Sequence, residues 1–129
     1  MILDKLETKP KAPLIEITNF NCPPDGESFF HQTRDGMELR IAIWNQSSSK
    51  GTILLQSGRT EFIEKYYEVI LEFIQRDFCV ALMDWRGQGL SGRVAEDIRI
   101  GHVKNFSDYD SDFEEVIDQV YQDKCPKPW

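Results

Sequence analysis

Residues Gly51–Gly92 read GTILLQSGRTEFIEKYYEVILEFIQRDFCVALMDWRGQGLSG, and their order decides the fold. Thr52–Leu55 is a short, almost wholly apolar run with a β-branched Ile53, the pattern of a strand buried on both faces. A tight turn at Gln56-Ser57-Gly58-Arg59 follows. From about Glu61 to Arg76, Phe62, Tyr66, Ile70, Phe73 and Ile74 recur at helical spacing, while Glu64, Lys65, Glu68, Glu72 and Gln75 form the expected outer face. Thr60 is the expected N-cap, with Glu61 and Glu64 suited to the positive end of the helix dipole. Phe78–Met83 is the next buried strand. A helical crossover returns the chain to the same end of the sheet, so the two strands are expected to run parallel.

Working outward, Phe29–Arg34 and Met37–Trp44 flank Asp35-Gly36, and Asp-Gly between two such runs predicts a β-hairpin. In the second run Met37, Leu39, Ile41 and Ile43 alternate with Glu38, Arg40 and Ala42, which predicts one core face and one outer face. Residues 1–28, with Pro10, Pro13, Pro23 and Pro24, read as an extended leader carrying a short strand at Leu14–Ile17. Residues 29–129 form the α/β unit, an antiparallel hairpin leading into a parallel βαβ sheet. Downstream, Asp84 to about Asn105 reads as loop, and a last helix is expected from about Asp108 to Gln122. Ser107-Asp108-Tyr109-Asp110 is a capping-box variant ahead of an apolar stripe of Tyr109, Phe113, Val116, Ile117 and Val120.

Composition narrows the function. The chain has 129 residues and a net charge of −7, which argues against a nucleic-acid partner because phosphate binding needs a clustered positive surface. No run approaches the roughly eighteen apolar residues of a membrane span. The first thirty residues show no apolar run after a basic start, so no secretory signal is expected. Three cysteines, Cys22, Cys79 and Cys125, at unpaired spacings argue against a disulfide framework or zinc site and fit a cytoplasmic setting. The acidic residues of the last helix read as a solvated face, and no metal or cofactor is expected.

Two loops carry the candidate chemistry. Gln56–Arg59 lies at the C-terminal end of a buried parallel strand, where open α/β sheets place ligands. A glycine before a helix lets backbone N–H groups point outward, and such a donor can stabilise an oxyanion. The second loop, Asp84-Trp85-Arg86-Gly87-Gln88-Gly89-Leu90-Ser91-Gly92, formally satisfies G-x-G-x-x-G through Gly87, Gly89 and Gly92. That fingerprint requires a helix opening at the glycines, and Arg93–Arg99 has no amphipathic pattern, so a nucleotide-binding reading stays a weak alternative. Ser91 is not in G-x-S-x-G, because Arg93 stands two residues after it. His31, in a hairpin strand, reads as structural, and His102 lies in a loop with no partner in view.

Taken together, Gly58-Arg59-Thr60-Glu61 with Lys65-Tyr66, the run from Asp84 through Arg86-Gly87-Gln88-Gly89 to Ser91-Gly92-Arg93, and Gly101-His102-Val103 with Phe106 and Asp108-Tyr109 resemble bacterial lysophospholipases. These are monoacylglycerol-lipase-like α/β hydrolases, once grouped with serine aminopeptidases. The similarity runs from roughly Phe29 to Trp129. It implies the N-terminal part of an α/β-hydrolase fold and an esterase of lysophospholipids or monoacylglycerols that uses a Ser-His-Asp triad.

Carried over by that resemblance, Gly58 and Arg59 form the oxyanion loop, with the Arg59 backbone N–H as donor. Asp84, Arg86, Gly87, Gly89 and Ser91 belong to a loop that buttresses it. Gln56-Ser57 stands where many relatives have a histidine before the glycine. The nucleophile elbow is expected a few residues beyond Trp129, so no triad member is expected within this chain, which alone should be inactive. The expected substrate is a lipid-like ester, and any membrane contact is peripheral. The strand that bears the nucleophile should pair beside Thr52–Leu55, and without it that strand is an open edge suited to self-association. A non-catalytic interaction module working through this edge is the alternative of a different class.

Overall fold

The computed structural model describes residues 9–129. Four strands, β1 (Glu27–Gln32), β2 (Glu38–Trp44), β3 (Thr52–Leu54) and β4 (Cys79–Met83), form one sheet in the order β1-β2-β4-β3. β1 and β2 are antiparallel, β2 and β4 are antiparallel, and β3 and β4 are parallel, as a helical crossover requires. A helical segment lies on each face. On one side Ile63, Tyr67 and Ile70 pack against Ala42, Trp44, Val80 and Leu82. On the other, Val116, Val120 and Tyr121 pack against Leu39, Ile41, Ile43, Ala81 and Met83.

This sandwich corrects the reading of β2. Its expected outer face is also buried: Arg40 and Ala42 are both inaccessible to solvent. A helical segment packs on each face of β2, so alternation no longer separates wet from dry. The hairpin is present, but its loop is Arg34-Asp35-Gly36. The Thr33 and Gly36 amides donate to Met37 O and Thr33 O, and only Gly36, at φ +88°, takes the left-handed conformation. This is a type I turn closed by a bulge glycine rather than a two-residue Asp-Gly turn.

The first helix starts differently from expectation. A single 3₁₀ turn, Ile63–Tyr66, leads into α1 (Tyr67–Gln75). Thr60 is not its cap: it sits at φ +62°, and its hydroxyl donates to the Arg59 carbonyl. The buried Asp84 carboxylate instead accepts the Ile63 N–H at 2.9 Å, so an acid from after β4 holds the helix start. Glu64, expected outside, is buried beside Arg40.

The last helical segment comprises α2 (Ser107–Val116), a π turn (Ile117–Tyr121) and a final turn, α3 (Gln122–Lys124). The π turn rotates the following residues, so that Val120 and Tyr121 are both buried. No side chain caps α2; Asp108 accepts the Asn105 N–H instead. Its acids are not all solvated, since Asp112 and Glu115 are buried. The expected strand at Leu14–Ile17 is absent, replaced by one bridge between Ile17 and Phe20. Residues 10–12 run antiparallel beside β1, with the Phe30 and Ala12 amides donating to Pro10 O and Ser28 O. The first eight residues of the expected leader lie outside the described residues.

Candidate active site

β3 and β4 end side by side, and their outgoing loops interlock. The Trp85 indole Nε1 donates to the Ser57 carbonyl at 3.0 Å, and Gln88 Nε2 donates to the carbonyls of Gly58 (3.0 Å) and Glu61 (3.3 Å). Three carbonyls of the loop after β3 are thus turned toward the loop after β4. The Arg59 amide N–H makes no hydrogen bond to another described residue, and its guanidinium reaches Gly101 O at 3.3 Å. Arg59 also lines an open cavity of about 440 Å³ with Gly101, His102, Val103, Lys104, Asn105 and Phe106.

The second loop is organised around Asp84, which is fully buried. Its Oδ2 accepts from Arg40 Nε (2.7 Å) and the Leu90 N–H (2.9 Å), while Oδ1 accepts the Ile63 N–H. Ser91 Oγ donates to the Asp84 carbonyl at 2.7 Å and accepts the Arg40 N–H, so this hydroxyl is held in the scaffold. The Gly87 N–H donates to Gly92 O and closes the loop. Gly89 takes φ +52°, and a Cβ there would overlap the Asp84 carboxylate. The glycine cluster therefore wraps a carboxylate, and no helix opens between Gly92 and Phe106. A phosphate would meet a negative charge with no helix N-terminus behind it, which removes the basis of the nucleotide-binding reading.

Arg40 is the hidden centre of this assembly. Its Nη1 and Nη2 donate to Glu64 Oε2 and Oε1, both at 2.6 Å, and Nη1 also reaches Pro13 O at 3.0 Å. Burial alone would raise the Glu64 carboxyl, but the paired bonds from Arg40 hold it below the ordinary range. For Asp84 burial wins over Arg40, and its carboxyl is pushed up. The sequence pattern missed this cluster because both Arg40 and Glu64 occupy positions that alternation and helical spacing assign to solvent.

Arg86 forms a second buried anchor. Its Nε and Nη2 pair with the two Asp112 oxygens at 2.6 Å, and Nη2 also meets Asp35. It ties the loop after β4 to α2 and to the hairpin turn. Its guanidinium is held more firmly protonated than usual, first by the Asp112 hydrogen bonds. Trp85 packs edge-on against Tyr109 of α2, with ring centroids 5.4 Å apart.

Among the described residues, neither histidine lies within hydrogen-bond distance of a serine, threonine or cysteine side chain. His31 is buried between Lys9 Nζ (2.7 Å from Nδ1) and Glu115 (3.5 Å from Nε2). His102 is exposed at the rim of the Arg59 cavity. The Gln56 amide atoms and Ser57 Oγ are buried and have no hydrogen-bond partner among the described residues. β3 forms the sheet edge. Thr52 is covered there, its N–H donating to Pro128 O and its hydroxyl to Pro126 O.

The family model for serine aminopeptidases of type S33 matches residues 47–128. Lysophospholipase L2 of Escherichia coli K12 is 33% identical over 95 residues, covering 74% of this chain and 27% of the relative. Probable lysophospholipase L2 of Haemophilus influenzae is 32% identical over 84 residues, covering 65% and 26%. The chain thus spans only about a quarter of the length of these curated relatives. A probable hydrolytic enzyme from Pseudomonas aeruginosa superposes with a TM-score of 0.53 at 15% identity, over 79% of this chain and 32% of that one. An esterase from Pyrococcus furiosus gives 0.51 at 21% identity, over 88% and 44%. At such identities these two speak for the fold alone. The sheet and its two flanking helical segments are part of an α/β-hydrolase fold.

Proposed function

The chain belongs to the serine aminopeptidase S33 family, and on that premise we propose that it is the N-terminal part of a serine ester hydrolase acting on lysophospholipids or monoacylglycerols. The observation that carries the proposal is the pinned loop after β3. Trp85 and Gln88 hold its carbonyls inward, while the Arg59 N–H has no acceptor among the other described residues. That N–H supplies one oxyanion donor, and Gly58 beside it leaves room for the Glu61 carboxylate. A donor already fixed costs nothing to reorient when the ester carbonyl gains charge, and each is worth about 3 kcal/mol of barrier.

Asp84, Arg86, Gly87, Gly89 and Ser91 buttress this donor. The serine, histidine and acid of the triad come from outside these 129 residues, the serine on a strand paired beside β3. The lipid-ester class follows from the lysophospholipase relatives. Among the described residues no helix is long and apolar enough to cross a membrane.

A fluorophosphonate probe tests the proposal. The 129-residue chain should remain unlabelled, whereas the protein extended to the length of its relatives should be labelled on one serine and should release fatty acid from a lysophospholipid. Labelling of the short chain would place the nucleophile within it and overturn this reading. The exposed β3 edge supports a second function, an interaction module that pairs through its strand. That reading predicts specific strand-mediated association and no hydrolysis by the extended protein.

A further inference from the structure

Cys79 and Cys125 are far apart in sequence yet belong to one buried cluster, the layer between the sheet and the last helical segment. Cys79 opens β4 and is inaccessible to solvent, while Cys125 follows the last helical turn and is 5% exposed. Backbone contacts bring them together from two sides. Thr52 is the partner of Cys79 in the parallel β3–β4 ladder, and the Cys79 N–H donates to Gly51 O at 2.9 Å. Thr52 also holds the segment after Cys125, through its hydroxyl on Pro126 O (2.7 Å) and its N–H on Pro128 O (2.9 Å). Cys125 itself is fixed by its N–H on Tyr121 O at 2.9 Å. The two side chains meet as hydrogen-bond partners, and both are free thiols.

A cysteine buried for packing behaves as a small hydrophobe among hydrocarbon neighbours. Here each sulfur instead faces another sulfur. The Cys125 S–H donating to it holds the Cys79 thiol below its ordinary range, and the same bond, with burial, pushes Cys125 up. Tyr121 lies close enough to both that their charge opposes its ionisation, second to burial, and its buried hydroxyl has no hydrogen-bond partner among the described residues. One sulfur is ready to lose its proton, the other stands within reach of it, and an unused O–H donor lies beside them. These contacts are all internal, so they hold whichever outer faces are covered.

We propose that Cys79 and Cys125 form a reversible oxidation site, which a peroxide converts from dithiol to disulfide. The Cys79 thiolate attacks one peroxide oxygen: the S–O bond forms, the O–O bond breaks, and the departing oxygen takes up a proton and leaves as water. The Cys125 sulfur then attacks that of Cys79: the S–S bond forms, the S–O bond breaks, and the leaving hydroxide takes the Cys125 proton to become a second water. Two thiols and one hydrogen peroxide thus give one disulfide and two waters, and an external thiol reverses the change. Hydrogen peroxide is little larger than water and reaches the pair by local opening of residues 125–128. The disulfide ties the start of β4 to the segment that covers Thr52 at the sheet edge. This site needs no triad and stands apart from the hydrolase assignment.

Peptide mapping of the folded chain after excess hydrogen peroxide tests this. Two of the three cysteines should resist alkylation, and the Cys79 and Cys125 peptides should appear joined, two hydrogens lighter than their sum, until dithiothreitol releases them. Cys22→Ser should leave closure unchanged, while Cys79→Ser and Cys125→Ser should each abolish it. Because a serine in the core can itself unfold the chain, the deciding comparison uses the native sequence: without urea the link is Cys79 to Cys125, whereas in urea it scatters among all three cysteines. The bond closes a loop of roughly 45 residues, so the oxidised chain should gain about 1–2 M in urea midpoint. A link through Cys22 in the folded chain, a dimer joined between chains, sulfinic acid formed without a link, or the same mixture with and without urea would each overturn the proposal. So would thiols left unreacted, or a cross-link that lowers the midpoint, since the fold would then reject the bond.

Discussion

Replacing Arg40 by methionine should be among the most damaging single changes in this chain. The side chain is inaccessible to solvent and makes three charge-assisted bonds to two buried carboxylates, plus one bond to the Pro13 carbonyl. Methionine fills much of the volume, so the loss comes from stranding Glu64 and Asp84 rather than from a cavity. Breaking a buried ion pair by removing one partner costs about 3–5 kcal/mol. Domains are stable by roughly 5–15 kcal/mol in total. With a urea slope of about 1–3 kcal/mol per molar, the midpoint should fall by about 2 M. Tryptophan fluorescence follows the transition, since Trp44 is buried on the same strand.

A double-mutant cycle isolates the cause. Glu64→Leu in the native background removes a partner that Arg40 needs, and should itself be destabilising. In the Arg40→Met background the same change removes a stranded carboxylate and should cost little or restore stability. The coupling should exceed about 1.5 kcal/mol, toward the upper part of the range seen for residues in direct contact. Additivity within about 0.5 kcal/mol, or an Arg40→Met loss below 1 kcal/mol, would refute the claim that the buried cluster organises the fold.

Gly89→Ala should cost about 3 kcal/mol in urea denaturation, because positive φ is compounded by overlap with Asp84, whereas Gly36→Ala, with open space around its Cβ, should cost only about 1 kcal/mol. His31 has a lowered pKa, first through burial and then through Lys9, so its contribution to stability is present above about pH 6.5 and is lost as pH falls through the folded value. Asp84 and Asp112, whose carboxyls are raised, act with the opposite sign, so the readout is the difference between native protein and His31→Gln: the urea midpoint should drop more steeply for the native protein between pH 7 and pH 5.5. Parallel profiles would contradict this assignment. In the extended enzyme Arg59→Pro removes the proposed donor and should lower kcat by about 10²–10³ with little change in KM, while Arg59→Ala keeps the N–H and should stay near native; equal loss in both would move the role to the guanidinium.

The strand–helix–strand core, the hairpin and the last helix were legible because each writes a local period. Apolar runs at Thr52–Leu54 and Cys79–Met83, and an Asp-Gly between alternating runs, depend on neighbours a few residues away. What escaped the pattern joins distant segments: Arg40 meets Glu64 and Asp84 across separations of 24 and 44 residues. Charge at an alternating position reads as solvent-facing unless the strand is known to be central. One signal was present. Trp44 and Ala42 share a face with Arg40, and a tryptophan on a supposedly wet face argues for a second packed layer. The Thr60 cap failed for a related reason, since the acid that serves the helix start comes from after β4, 21 residues away from Ile63.

These long-range ties set the order in which the site can be built. Arg40 neutralises and orients Asp84. Asp84 then fixes two amides at once, Ile63 at the helix start and Leu90 in the glycine loop. Those two points span the ends of both loops, so Gln88 and Trp85 can reach the Gly58 and Ser57 carbonyls only after they are set. The Arg59 N–H is therefore positioned by a chain of contacts that begins on β2. It follows that Arg40→Met should disturb the Arg59 loop before the molecule unfolds. Amide exchange at Gly58 and Arg59 should accelerate in conditions where β1 and β2 stay protected. If exchange in the loop and the strands accelerated together, the loop would be only as labile as the sheet, and the ordering argued here would fail.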